Sequence, residues 1–132
     1  MDGKMVPWHE ANVHVLTHTL HYGFGVFEGI RCYYSKENGS AIFRLQDHIN
    51  RLFQSAVILG IEVPFSNKDI VDATIKVVRE NKLEECYIRP IIFLGDNKMR
   101  ETSFYYWIHI LPHLNKLNIV PLECQRRNNV TY

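Results

Sequence analysis

The sequence predicts an α+β domain, with two helices packed on a mainly antiparallel sheet. Five short runs, Phe27–Tyr34, Ala41–Arg44, Cys86–Leu94, Phe104–Leu111 and Leu117–Leu122, are rich in β-branched and aromatic residues and read as strands. Between the second and third runs, from about Gln46 to Leu59 and from Ser66 to Asn81, the apolar residues take up helical spacing instead. The order β-β-α-α-β-β-β keeps the helices together, as α+β folds do, and does not alternate them with strands. At 132 residues the chain can build one proper core but not two, so residues 1–132 are read as a single domain.

Asp2-Gly3-Lys4 has the chemistry of a hairpin turn with almost no strand before it, so the chain reads as starting partway through a hairpin. Alternation then sets Phe27, Gly29, Arg31 and Tyr33 on one face, and Val26, Glu28, Ile30, Cys32 and Tyr34 on the other. Ser35-Lys36-Glu37-Asn38-Gly39-Ser40 turns the chain into the partner strand. The first helix is expected to bury Ile49, Leu52, Phe53, Ala56 and Leu59, with Gly60 as its stop. Ser66-x-x-Asp69 opens the second, whose buried stripe is Ile70, Ala73, Thr74, Val77 and Val78. Tyr87, Arg89, Ile91 and Phe93 share one face of the next strand. Pro90 cannot donate to a ladder, which predicts an edge strand or a bulge there. Gly95-Asp96-Asn97-Lys98 turns the chain again.

A hydrophobic content of 46% and a charged content of 22% fit a soluble globular protein. The net charge is +1 and the Lys and Arg residues are scattered, which leaves no electrostatic footprint for nucleic acid or an anionic membrane. Cys32, Cys86 and Cys124 form an odd set without a Cys-x-x-Cys pair, so a cytoplasmic protein without a disulfide framework is expected. The N-terminus lacks the apolar core of a signal peptide, and no apolar run reaches membrane-spanning length.

The densest chemistry lies in His21-Tyr22-Gly23-Phe24-Gly25-Val26-Phe27-Glu28-Gly29-Ile30-Arg31, followed by His48-x-x-Arg51-Leu52. Glycines admit a close backbone approach, aromatics wall in a flat ligand, and an arginine fork clamps a phosphate or carboxylate. Arg51 falls in the second turn of the first helix, with His48 one turn earlier on the same side. Arg31 and Arg89 fall mid-strand beside tyrosines, as the polar floor of a pocket for a carboxylate would require. The ordinary role for each of these arginines is a solvated surface charge. His14, His18 and His21 lack an acidic or cysteine ligand at metal spacing, and the Val/Leu/Thr alternation around them argues against a helix. Pro112 interrupts any helix joining His109 and His113. No Gly-x-Ser-x-Gly, Walker loop or dinucleotide fingerprint occurs.

Taken together, Val6-Pro7-Trp8, His18-x-Leu20-His21-Tyr22-Gly23, Val26-Phe27-Glu28-Gly29-Ile30-Arg31, Phe43-Arg44, His48-x-x-Arg51-Leu52 and Tyr87-Ile88-Arg89-Pro90 resemble the branched-chain amino-acid aminotransferases. The match is dense from Met1 to about Met99 and thins beyond it. The resemblance implies the small N-terminal domain of the D-amino-acid-aminotransferase-like fold, pyridoxal 5'-phosphate as cofactor, and a homo-oligomer. It implies transfer of the amino group of Leu, Ile or Val to 2-oxoglutarate. Arg51 matches the family's cofactor-phosphate arginine. Tyr22, Phe27, Arg31, Tyr87 and Arg89 match residues around the substrate, with Tyr22 expected to reach a neighbouring subunit's site.

The family's Schiff-base lysine falls beyond Tyr132, and none of Lys4, Lys36, Lys68, Lys76, Lys82, Lys98 or Lys116 matches it. The expectation is therefore a truncated or split gene product, inactive alone because pyridoxal chemistry needs that lysine. Other enzymes of the same fold, a D-amino-acid aminotransferase or an aminodeoxychorismate lyase, remain as alternatives. So does a non-catalytic binding or dimer-forming module using an exposed patch of Tyr22, Phe24, Phe27 and Tyr87.

Overall fold

Helical stripes and strand alternation meet in one core. The computed structural model describes residues 6–95, apart from the Trp8 side chain, and the backbone of residues 102–109 and 119–123. The expected turns at Asp2-Gly3-Lys4 and at Asp96-Asn97-Lys98 lie outside the described residues. A short 3₁₀ turn, Trp8–Glu10, precedes helix α1 (His18–Tyr22). Strands β1 (Gly25–Phe27), β2 (Ile30–Ser35) and β3 (Gly39–Ile42) follow, then helices α2 (Leu45–Ile58) and α3 (Asn67–Glu80). Strands β4 (Cys86–Leu94), β5 (Thr102–His109) and β6 (Ile119–Glu123) complete the described elements. The sheet runs β3-β2-β4-β5-β6 with β1 also paired to β4, and every pairing is antiparallel.

Both long helices form where the sequence places them, for local reasons. Ser66 caps α3 with a reciprocal box: its Oγ accepts from the Asp69 N–H at 3.2 Å, and Asp69 Oδ2 accepts from the Ser66 N–H at 2.9 Å. The α2 start is less orthodox. The strand expected to run to Arg44 ends at Ile42, because Arg44 turns the chain in the left-handed region (φ 47°) while its Nε donates to Asp47 Oδ2 at 2.7 Å. After α2, Gly60 takes φ +67°, which only glycine adopts without steric penalty.

One face of the sheet packs under α2 and α3. Ile30, Ile88 and Ile92 from the strands meet Ile49, Leu52, Ala56, Ile70 and Val77 from the helices, all with no exposed surface. Thr74 is buried among them and donates to the Ile70 carbonyl at 2.7 Å, so its hydroxyl is satisfied. Three residues of the expected stripes depart from full burial: Phe53 and Ala73 are half-buried, and Leu59 is exposed at the helix end. No helix among the described residues is long and apolar enough to cross a membrane.

Three further expectations are corrected. The His14–His21 stretch, read as non-helical, contains α1. Its single turn is anchored by Thr19, whose Oγ1 donates to the Phe24 carbonyl and accepts from the Leu94 N–H at 3.1 Å. Such tertiary bonds stabilise a turn too short to stand alone. Pro90 lies on a central strand, not an edge. The antiparallel register holds on both sides of it (Phe27↔Ile91, Ile30↔Ile88), which sets Pro90 opposite Glu28. Glu28 N donates to the Pro90 carbonyl at 3.1 Å, and proline has no N–H to return the bond. The run predicted as one strand, Phe27–Tyr34, is therefore split into β1 and β2 at Glu28–Gly29.

Candidate functional site

The break between β1 and β2 places two clusters back to back. On the face away from α2 and α3, strand alternation sets Phe27, Gly29 and Arg31 beside Tyr87 and Arg89 of β4. The Arg89 guanidinium lies 4.8 Å from the Phe27 ring centre and 5.3 Å from that of Tyr87, and its Nη2 donates to the Tyr87 hydroxyl at 2.9 Å. Its Nε is buried and has no hydrogen-bond partner among the described residues. A fixed arginine with such a donor is poised for an acceptor that the described residues do not supply. Arg31 stands directly opposite Tyr87 and lies 5.8 Å from the Tyr33 ring centre.

Gly29 lets this cluster close. A Cβ there would lie 2.3 Å from the Tyr87 hydroxyl and 3.1 Å from Cζ, well inside contact distance. The tyrosine ring thus packs over bare backbone.

On the helix side, Glu28 is buried beneath α2. Its Oε1 accepts from Arg51 Nε and its Oε2 from Arg51 Nη2, both at 2.6 Å, a bidentate fork. His48 Nδ1 lies 2.8 Å from Oε2 and 3.2 Å from Arg51 Nη2, so the three side chains form one cluster. The Arg51 fork holds the Glu28 carboxyl below the usual carboxylate range in spite of burial, and the His48 bond adds to the effect. The same pairing pushes the Arg51 guanidinium up. Arg51 itself remains 63% exposed, so an anion can reach the part of its guanidinium that Glu28 does not cover.

The structure brings Phe27, Arg31, Tyr87 and Arg89 together on one face, and places Arg51 with Glu28 on the opposite, helix-covered side at the β1–β2 break. Tyr22 stands apart, 70% exposed at the end of α1, with ring centres of His18 and His21 at 5.8 and 6.1 Å. Sequence reasoning missed Glu28 and Gly29. A carboxylate sharing parity with Val26, Ile30 and Cys32 was the available signal, since a buried acid needs a partner. Gly29 was marked only as one of several glycines that admit a close backbone approach, without its ring partner. A separate cavity of about 600 Å³, lined in part by Cys32, Ile42, Leu45, Val78 and Arg79, contains none of these residues.

The amino-transferase class IV family model matches residues 25–123, and the chain belongs to that family. Among curated relatives, the branched-chain-amino-acid aminotransferase of Pseudomonas aeruginosa is 50% identical over 110 residues, covering 83% of this chain and 36% of the relative. That of Escherichia coli K12 is 48% identical over 95 residues, covering 72% and 30%. The chain thus spans about a third of the length of these relatives. Of solved structures, the Escherichia coli branched-chain amino acid aminotransferase superposes with a TM-score of 0.79 at 41% identity, over 83% of this chain and 39% of that one. The branched-chain amino acid aminotransferase of T.th., complexed with N-(5'-phosphopyridoxyl)-L-glutamate, gives 0.71 at 46% identity, over 74% and 33%.

Proposed function

We propose that this chain is the N-terminal, substrate-facing domain of a branched-chain aminotransferase, working with pyridoxal phosphate to pass the amino group of Leu, Ile or Val to 2-oxoglutarate. The observation that carries this reading is Arg89, bonded to Tyr87, set over the Phe27 ring and left with a buried donor that no described residue partners. An arginine so prepared suits the carboxylate of an amino or 2-oxo acid. The adjacent Phe27 ring, 60% exposed, offers an apolar wall for a branched side chain, and Arg31 offers a second cation for a dicarboxylate.

The residues present fit the cofactor, because Arg51 combines an exposed side chain with a guanidinium fixed at one edge, as a phosphate ligand requires. When bound, the cofactor supplies the electron sink for amino transfer. The chain's own part is to orient the substrate through Arg89, to wall its side chain with Phe27 and Tyr87, and to hold the phosphate with Arg51. Tyr22 is assigned to the site of a neighbouring subunit in a cytoplasmic homo-oligomer, supported by the exposed apolar run Val13, Val15, Leu16 and Leu20 around it.

The test places this chain in the corresponding segment of the Pseudomonas aeruginosa relative. The chimera should show an absorbance band for bound cofactor and should aminate 2-oxoglutarate from leucine. Arg89→Ala should raise KM for both substrates. A folded, cofactor-loaded chimera inert on Leu, Ile and Val would overturn the assignment.

A further inference from the structure

We propose that Glu28, supported by His48, is a positioning residue that selects which edge of Arg51 meets the cofactor phosphate. The proposal rests on the reading of Arg51 given above and goes beyond it. A free arginine of this exposure would sample many rotamers, and ordering it on binding would weaken affinity. Arg51 is already ordered: its Nε and Nη2 both lie 2.6 Å from Glu28 oxygens. That edge is taken, leaving the Nη1 end of the fork for an incoming anion.

Glu28 is itself held fast. Its side chain is only 7% exposed, and its backbone N–H is bonded to Pro90. The Oε2 atom that accepts from Arg51 also meets His48 Nδ1 at 2.8 Å, and the His48 side chain is only 19% exposed. One carboxylate thus joins the β1–β2 break to two successive turns of α2, so the guanidinium takes its position from the sheet and not from a mobile side chain. A carboxylate this close also repels a phosphate. The proposal is that pre-organisation outweighs that repulsion, because the guanidinium stands between Glu28 and solvent.

The experiment uses the full-length chimera and compares affinity for pyridoxal 5'-phosphate with affinity for pyridoxal, which lacks the phosphate. Glu28→Gln should lower the phosphate-dependent part of the affinity roughly three- to tenfold. Pyridoxal binding should stay unchanged, a selectivity that a purely structural role would not produce. His48→Gln, which leaves the Arg51 fork in place, should give a smaller loss in the same direction, and it decides the matter should Glu28→Gln fail to fold. Arg51→Ala separates the two claims. If it abolishes the preference for the phosphorylated ligand while the Glu28 and His48 variants leave that preference intact or strengthen it, Glu28 is not a positioning residue. If Arg51→Ala also leaves the preference intact, the phosphate assignment itself falls.

Discussion

Replacing Gly29 by alanine tests the packing of the open face most directly. Gly29 is not in the left-handed region, so alanine is allowed by its backbone, and restricting the unfolded chain would by itself add about 0.4–1 kcal/mol of stability. Against this stands a Cβ placed 2.3 Å from the Tyr87 hydroxyl, 3.1 Å from Cζ and 3.3 Å from Cε2. The ring must move, and overpacking of this kind costs about 1–3 kcal/mol. Moving it also breaks the 2.9 Å bond from Arg89, and a hydrogen bond to a charged group contributes about 1.5–3 kcal/mol. The clashing atoms are the far end of a side chain, so the low end of each cost applies. After the entropic gain, Gly29→Ala should be destabilised by about 1.5–2 kcal/mol in urea unfolding. Tyr87→Phe removes the clashing oxygen, so the two substitutions should couple by at least about 1 kcal/mol in a double-mutant cycle. Additivity within about 0.5 kcal/mol, or a more stable Gly29→Ala, would refute the packing on which this argument stands.

Further outcomes follow from other contacts. The Glu28 carboxyl is held below its usual 4.5, so its contribution is present above that pH and is lost as pH falls through the lower folded value. Glu28→Gln should therefore be less stable than the parent near neutrality, with the gap closing at acid pH in urea unfolding. Ser66→Ala should cost about 1 kcal/mol through loss of the α3 cap, and Ser66→Asp should recover most of it in thermal melts. Burial pushes the Cys86 thiol up to about 12 and raises that of Cys32 as well. Both should resist iodoacetamide at pH 8 until the protein unfolds, and native-state labelling detected by mass spectrometry would contradict that burial.

Much of the fold was legible because its causes are local. A box of Ser66 and Asp69, a glycine after α2, and the strict parity of Val26, Ile30 and Cys32 each act over a few residues. The α+β class, the two long helices and the face shared by Arg31, Tyr87 and Arg89 follow from such patterns. The resemblance in the Phe27–Arg31 and Tyr87–Pro90 blocks likewise needed nothing beyond residue order, and the family match over residues 25–123 agrees with it.

Tertiary structure decided the rest, because those features depend on partners remote in sequence. Whether Pro90 lies at an edge or in the centre of a sheet depends on which strands flank it, and the missing N–H shows its effect on the opposite strand, at Glu28. The α1 turn exists because Thr19 bonds to Leu94, seventy-five positions away. Arg51 looked like a surface charge with a phosphate to hold. Only the folded chain brings a buried carboxylate twenty-three positions away to its guanidinium, since a buried charge must find its counter-ion wherever the chain supplies one.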